Sequence, residues 1–233
     1  MPREAQSSDQ NRLLAALPRQ DYRRLAKHLE PVSLAFGQVL YEPGGRIAHV
    51  YFPYRGVISL LTMAGPSKGA EVGMVGNEGV VGASAALGID VSHLRAVVQG
   101  AGTAARITSP RLCRELREHG SWYRELFRFT TVLMGQVAQT AACNRFHNVE
   151  QRLARWLLTT RDRVHSNRFH LTHQFLSLML GVRRVGVTAA ATSLQNRGLI
   201  RYSRGDIQLL DAKGLEACAC ECYRAVLEMY RRG

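Results

Sequence analysis

Two adjacent arginines, Arg183 and Arg184, open the run "RRVGVTAAATSLQNRGLI", and the side chains behind them are nearly all small. A guanidinium grips planar acceptors through paired N–H groups: a carboxylate, a phosphate, or the O6 and N7 edge of a guanine. Placed at 100° per residue, Val187, Ala190, Ala191 and Leu194 share one helical face, and Val185, Thr188, Ala189, Thr192 and Ser193 lie opposite. A solvated face ordinarily carries Glu, Lys and Gln. A face of methyls and hydroxyls is shaped for close approach, and the major groove of a DNA duplex offers the phosphates, thymine methyls and guanine edges that would match it.

Other residue clusters are weaker as chemistry. Gly73, Gly76, Gly79 and Gly82 are evenly spaced, but the stretch lacks the Gly-Lys-Ser/Thr ending of a phosphate loop. Cys218, Cys220 and Cys222 crowd the C-terminal end, with residues 218 and 222 expected on one face of a single helix. Two thiolates there could hold a metal, but a tetrahedral site needs about four ligands and no histidine lies nearby in the sequence, so buried small residues are the preferred reading and no metal is expected. His165, His170 and His173 come without a cysteine or carboxylate partner and are read as solvated or phosphate-facing. No G-x-S-x-G, H-E-x-x-H or Walker motif is present, and an enzyme is not expected.

The elements that would position the arginines can be read around them. Thr172 is placed to cap a short helix, His173 to Leu180, with Leu176, Met179 and Leu180 in its core and Gly181 as a left-handed turn. After Gly198, "LIRYSRGDIQLL" reads as two strands joined at Arg204-Gly205, a hairpin tipped with Arg201 and Arg204. Upstream, after a short helical opening, Pro31 to about Ile107 is rich in glycine, valine and short alternating runs, as expected of a barrel or roll. Within it, "HVYFPYRGVISLLT" resembles two strands joined at Arg55-Gly56. From Ser121 the period lengthens: Trp122, Leu126, Phe129, Leu133, Val137 and Ala141 form the stripe of a long helix. The roll could cover that stripe, but a dimer seam is the favoured reading. Asn148 and Gln151 then form a capping box for the next helix.

The 31 Lys and Arg against 18 Asp and Glu leave a net charge of +13, which favours an anionic partner, nucleic acid or an acidic membrane surface. No segment approaches the roughly 20 apolar residues of a spanning helix, and the first residues lack the apolar core of a signal peptide. A cytoplasmic protein with reduced thiols and no membrane partner is expected, its five cysteines being an odd, unevenly placed set.

Taken together, "FGQVLYEPGGRIAHVYFPYRGVISLL", "VEQRLARWLL" and "LTHQFLSLMLGVRRVGVTAAATSLQNRGLI" with its hairpin resemble the Crp/Fnr family of bacterial transcription regulators over nearly the full length. The resemblance implies an α+β chain: residues 1–147 a cyclic-nucleotide-binding-like β-roll with its dimerisation helix at about 121–146, and residues 148–233 a winged helix-turn-helix. It implies a homodimer on a palindromic duplex, with a contact to RNA polymerase. The DNA-facing set would be Thr172, Arg183, Arg184, Val185, Thr188, Ala189, Thr192, Arg201 and Arg204. The family's frequent recognition pattern, Ser-Arg-Glu-Thr-Val with a second arginine two residues later, aligns with Arg183, Arg184, Val185, Gly186, Val187 and Ala189, so Arg184 alone keeps the base-reading match. An effector pocket would involve Gly82, Ala83, Ser84, Ser92, Arg95, Val137 and Ala138. Ala83 stands where the family's cyclic-nucleotide binders carry glutamate, an ungapped register puts Ser92 and His93 at the phosphate-gripping Arg-Ser or Arg-Thr pair while a shifted one would restore a cation at Arg95, and Val137 and Ala138 fall at the Thr-Ser pair of the long helix. The effector is therefore unknown, cyclic AMP is not expected, and no cofactor is expected. The family's iron–sulfur members use an N-terminal cysteine cluster, whereas no cysteine here precedes Cys113. The alternative function is a regulatory scaffold whose bare C-terminal helix meets a protein.

Overall fold

The protein is described from a computed structural model covering residues 10–65, 68–118 and 121–232. It divides into two compact units, one comprising residues up to 60 with 74–131, the other 61–73 with 132–233.

Two short helices, α1 (Arg12–Ala15) and α2 (Arg19–Ala26), lead into strands β1 (Glu30–Leu34), β2 (Val39–Tyr41), β3 (His49–Met63) and β4 (Gly69–Val75). A four-residue helix α3 (Ala83–Ala86), strand β5 (Arg95–Thr108) and helix α4 (Ser109–Glu118) follow. The sheet runs β1-β5-β3-β4, with β2 also paired to β5. β1 lies antiparallel to β5 with Val32 opposite Ala104. Val50, Phe52, Val57, Ile58, Leu61, Ala96 and Val98 supply buried side chains from these strands, and β3 is buried over consecutive residues instead of alternate ones, as in a strand covered on both faces.

The two-strand reading of "HVYFPYRGVISLLT" is corrected: β3 is continuous through Arg55-Gly56. Gly56 does adopt positive φ, +92°, but its purpose is close approach. A Cβ there would lie 2.5 Å from the Gly100 carbonyl oxygen, and one on Gly102 would collide with the Arg55 carbonyl. Strands β3 and β5 meet backbone to backbone at these glycines, a geometry no larger residue permits.

Helix α5 (Ser121–Phe146) agrees with the expected long helix. Its stripe has a different use from the favoured one. Trp122, Leu126 and Phe129 are buried within their own chain, with Trp122 edge-on to Phe52 at 6.0 Å and Phe129 filling the space a Cβ on Gly79 would need. The first half of the foreseen stripe is therefore core, not seam. A second face, Phe127, Thr131, Met134, Ala138, Ala141 and Arg145, stays exposed. Its spacing of four and three residues is that of a heptad, and Phe127 and Met134 are 56% and 69% exposed.

The rest of the chain is α6 (Val149–Val164), β6 (Arg168–His170), α7 (His173–Leu180), α8 (Arg184–Asn196), β7 (Ile200–Ser203), β8 (Asp206–Leu209), α9 (Ala212–Cys218) and α10 (Cys222–Arg232). The capping box at Asn148 forms as expected: its side chain accepts from Gln151 N–H, and Gln151 reaches back to the Asn148 N–H. Trp156 is fully buried and donates Nε1–H to the buried Glu71 carboxylate at 3.1 Å, which satisfies two groups that would be costly to leave unpaired. Tyr223 donates its hydroxyl to Asp162 at 2.6 Å, and Gln136 donates to the Tyr230 hydroxyl at 3.1 Å, tying α10 to α6 and α5.

Candidate nucleic-acid interface

The helix-turn-helix is assembled from ordinary local signals. Thr172 caps α7 by accepting the Phe175 N–H at 3.1 Å, and Gly181 ends it in the left-handed region at φ +61°. The axis bends by 106° into α8. Leu176, Met179 and Leu180 from α7 and Val187, Ala190, Ala191 and Leu194 from α8 are buried, as their periodicity requires. The opposite face of α8 is exposed at Arg184, Val185, Thr188, Ala189 and Thr192, and Arg183 is exposed as the N-cap. Val185 is 72% exposed, which leaves its methyl groups open to a partner.

Thr188 is less free than a sequence reader would assume. Its Oγ1 lies 3.1 Å from the Arg184 carbonyl and 3.0 Å from His173 Nδ1. A carbonyl only accepts, so both bonds form together when the hydroxyl donates to Arg184 and His173 Nδ1–H donates to the hydroxyl. The methyl of Thr188 is then its available recognition group. The His173 ring also packs on Tyr202 at 4.6 Å between centroids, and its Nε2 is buried without a hydrogen-bond partner among the described residues. Burial and then the Arg184 cation hold the imidazole below its ordinary pKa of 6.5. A depressed imidazole pKa means the unfolded chain takes up the proton first on acidification, so this contribution to stability is complete above about pH 6.5 and declines below it. In thermal melts from pH 7.5 to 5.5, wild type should lose more stability than His173→Gln; parallel profiles would contradict the assignment.

The wing is a three-stranded sheet in the order β6-β8-β7. Register fixes its two faces. Arg168 and Arg201 both sit opposite Gln208, and His170 and Ser203 both sit opposite Asp206. Cross-strand partners share a face, so Arg168, His170, Arg201, Ser203, Asp206 and Gln208 line one side and Phe169, Tyr202 and Ile207 the other, where Ile207 is buried. The turn places Arg204 at φ +50° and Gly205 at φ +90°, a tight hairpin with both central residues left-handed. His170 Nδ1 pairs with Asp206 at 2.9 Å. Gln195 accepts the Tyr202 N–H at 2.7 Å, and the Tyr202 hydroxyl donates to the Leu171 carbonyl at 2.8 Å; these bonds lock the wing to α8 and to the start of α7.

Among the described residues no ion pair forms at Arg168, Arg183, Arg184, Arg201 or Arg204. Arginines elsewhere are of both kinds. Arg46, Arg95, Arg106, Arg197 and Arg224 each pair with a carboxylate, whereas Arg12, Arg19, Arg23, Arg114, Arg117 and Arg145 also form no ion pair among the described residues; what marks this surface is the clustering of such arginines around one helix and one hairpin. Arg168 belongs with the sequence-derived set but was missed, because the three-residue strand β6 has no periodic signature and only its register with β8 places it beside Arg201.

The residues assigned to an effector pocket are distributed differently. In the first unit, Gly82 is left-handed at φ +93° and caps α3, with Ala83 and Ser84 in the helix. The Ser92 hydroxyl is spent on its own turn, donating to the Leu94 carbonyl at 2.6 Å and accepting the Leu94 N–H. Arg95 pairs with Glu42 at 3.2 Å. Val137 and Ala138 lie on α5 in the second unit, half-buried and exposed respectively.

Residues 151–218 match the model of the Crp-like helix-turn-helix domain. The chain is similar in fold to a Crp/Fnr-family transcriptional regulator from Eubacterium rectale, at 15% identity and a TM-score of 0.71, over 88% of this chain and 96% of that one. It is also similar to the c-di-GMP-responsive global regulator CLP of Xanthomonas campestris, at 15% identity and 0.68 over 82% and 99%. A Crp/Fnr-family regulator from Thermus thermophilus gives 22% identity and 0.64 over 82% and 98%. A search of curated protein sequences found no match. Residues 151–218 are thus matched as a Crp-like helix-turn-helix domain, and the chain shares its fold with Crp/Fnr-family regulators. Among the described residues no single helix is long and apolar enough to cross a membrane.

Proposed function

We propose that the chain acts as a homodimer on a two-fold symmetric duplex, with one α8 in each of two successive major grooves and half-site centres about one turn, roughly 34 Å, apart. The observation that carries this reading is the set of five arginines without carboxylate partners around a helix face stripped of long polar side chains. Arg184 reads a base, Arg168, Arg183, Arg201 and Arg204 meet phosphates, and Val185, Ala189 and the Thr188 methyl meet thymine methyls. The exposed heptad face of α5 supports the dimer. The DNA-binding domain begins at the Asn148 cap, and RNA polymerase is the protein partner of the bound dimer.

Cyclic AMP does not control it. Ala83 supplies no carboxylate for a ribose, and Arg95 is already neutralised by Glu42. If each protomer places four guanidiniums on phosphates, a dimer neutralises about eight, and log K should fall against log[salt] with a slope of roughly −7. Titrating random-sequence duplex over a salt series checks this; a near-zero slope would favour the scaffold reading, in which the α8 face meets a protein.

A further inference from the structure

Three of the five cysteines come together, Cys143 joining two from the C-terminal group. α9 ends at Cys218 and α10 starts at Cys222, with Ala219 in an extended conformation between them. The single helix expected to put Cys218 and Cys222 on one face is therefore broken, and that expectation is corrected. In its place Cys220 and Cys222 face Cys143 and His147 from the last turn of α5 and the residue just beyond it. The histidine absent from the neighbouring sequence arrives through the fold.

Four donor atoms, three Sγ and one imidazole Nδ1, lie within 4.8 Å of one another. Cys143 Sγ is 3.5 Å from Cys220 Sγ, and Cys222 Sγ is 3.6 Å from His147 Nδ1. Zinc–sulfur bonds of about 2.3 Å in a tetrahedron put neighbouring sulfurs roughly 3.7 Å apart, so these edges already have the length one ion requires. An iron–sulfur cluster spreads its cysteines over different irons and needs wider spacing.

The surroundings are those of a metal site. The His147 Nε2 faces the Glu221 carboxylate at 3.1 Å, so the ring presents Nδ1 inward while a carboxylate fixes its orientation and raises its basicity. Gln139 donates an amide N–H to Cys222 Sγ at 3.0 Å, a bond suited to a thiolate. Arg152 and Arg155 of α6 are buried, each with an Nε that has no hydrogen-bond partner among the described residues. Both guanidiniums lie close enough to the cluster to act electrostatically on the Cys143 sulfur. Two buried cations call for anionic compensation; three thiolates and a neutral imidazole around a divalent ion carry one net negative charge. Small buried cysteines alone would not explain the histidine–glutamate pair or the arginines.

We propose that Cys143, His147, Cys220 and Cys222 bind a zinc-type divalent ion that holds the joint between α5 and α6 against the α9–α10 link. With all four positions filled by protein, the site is closed and structural. The test is a cobalt(II) titration of the reduced, chelator-treated full-length chain, followed by competition with zinc(II). The expected result is one ion per chain, with thiolate-to-cobalt charge transfer and the intense visible bands of tetrahedral coordination. Cys220→Ala should abolish them and Cys218→Ala should leave them intact. Glu221→Gln keeps all four ligands and should weaken zinc binding about 10- to 100-fold, which guards against a Cys220 variant that simply misfolds. Absence of uptake by the reduced wild type, octahedral cobalt spectra, or equal binding by wild type and Cys220→Ala would overturn the site. So would a Cys143–Cys220 disulfide forming in wild type whose reduction restores no metal binding.

Discussion

Replacing Arg184 with alanine is expected to lower affinity for the chain's preferred duplex by about 1–3 kcal/mol and to flatten base preference at one position in each half-site. The side chain leaves the first residue of α8, unpaired by any carboxylate among the described residues, and a bidentate bond to a guanine edge is its most selective use. Arg204→Ala should behave differently. Arg204 sits on a hairpin tip at φ +50°, where it meets backbone, so affinity should fall evenly across sequences and the salt slope should shrink by about one per protomer. Titrating both variants against the preferred duplex and its single-base changes separates the roles. An Arg184→Ala protein with unchanged base preference would remove that residue from the reading set.

A larger effect is expected from Met134→Glu. Met134 is central to the exposed heptad face of α5, between Thr131 and Ala138 and one turn from neither Trp122 nor Leu126 of the buried face. Two glutamates brought together in a dimer seam would have to be buried facing each other, and burying like charges without partners is strongly unfavourable. Sedimentation should then show a monomer. Linking two half-site contacts gains affinity through effective concentration alone, so a duplex with two half-sites should bind about 10²- to 10⁴-fold more weakly, with binding to a single half-site unchanged. A variant that stays dimeric would place the interface elsewhere.

What the sequence disclosed follows the range of the interactions. The α7 cap at Thr172, the Gly181 turn, the two faces of α8 and the Asn148 capping box depend on residues within one or two helical turns, and all were legible. Gly56 was legible as special but not as to why: a turn and a close backbone approach both demand glycine, and only the partner strand with Gly100 and Gly102 distinguishes them. The α5 stripe misled for a related reason. A helix covered on one side by its own chain and expected to be covered on another by a copy carries two apolar faces, and Trp122, Leu126 and Phe129, the larger residues, mark the intramolecular one. Arg168 depended on strand register, and the Cys143–His147–Cys220–Cys222 cluster on packing between segments some 75 residues apart, which no local pattern encodes.

The central claim, a dimer that reads a symmetric site through α8, is tested most directly by selecting bound sequences from random duplex DNA with the purified chain and no added ligand. The account predicts an inverted repeat with half-site centres about one helical turn apart. It also predicts that thymines and a guanine will stand where Val185, Ala189 and Arg184 reach. Enrichment of no motif, or of a single unrepeated one, from a chain confirmed to be folded and dimeric would contradict it.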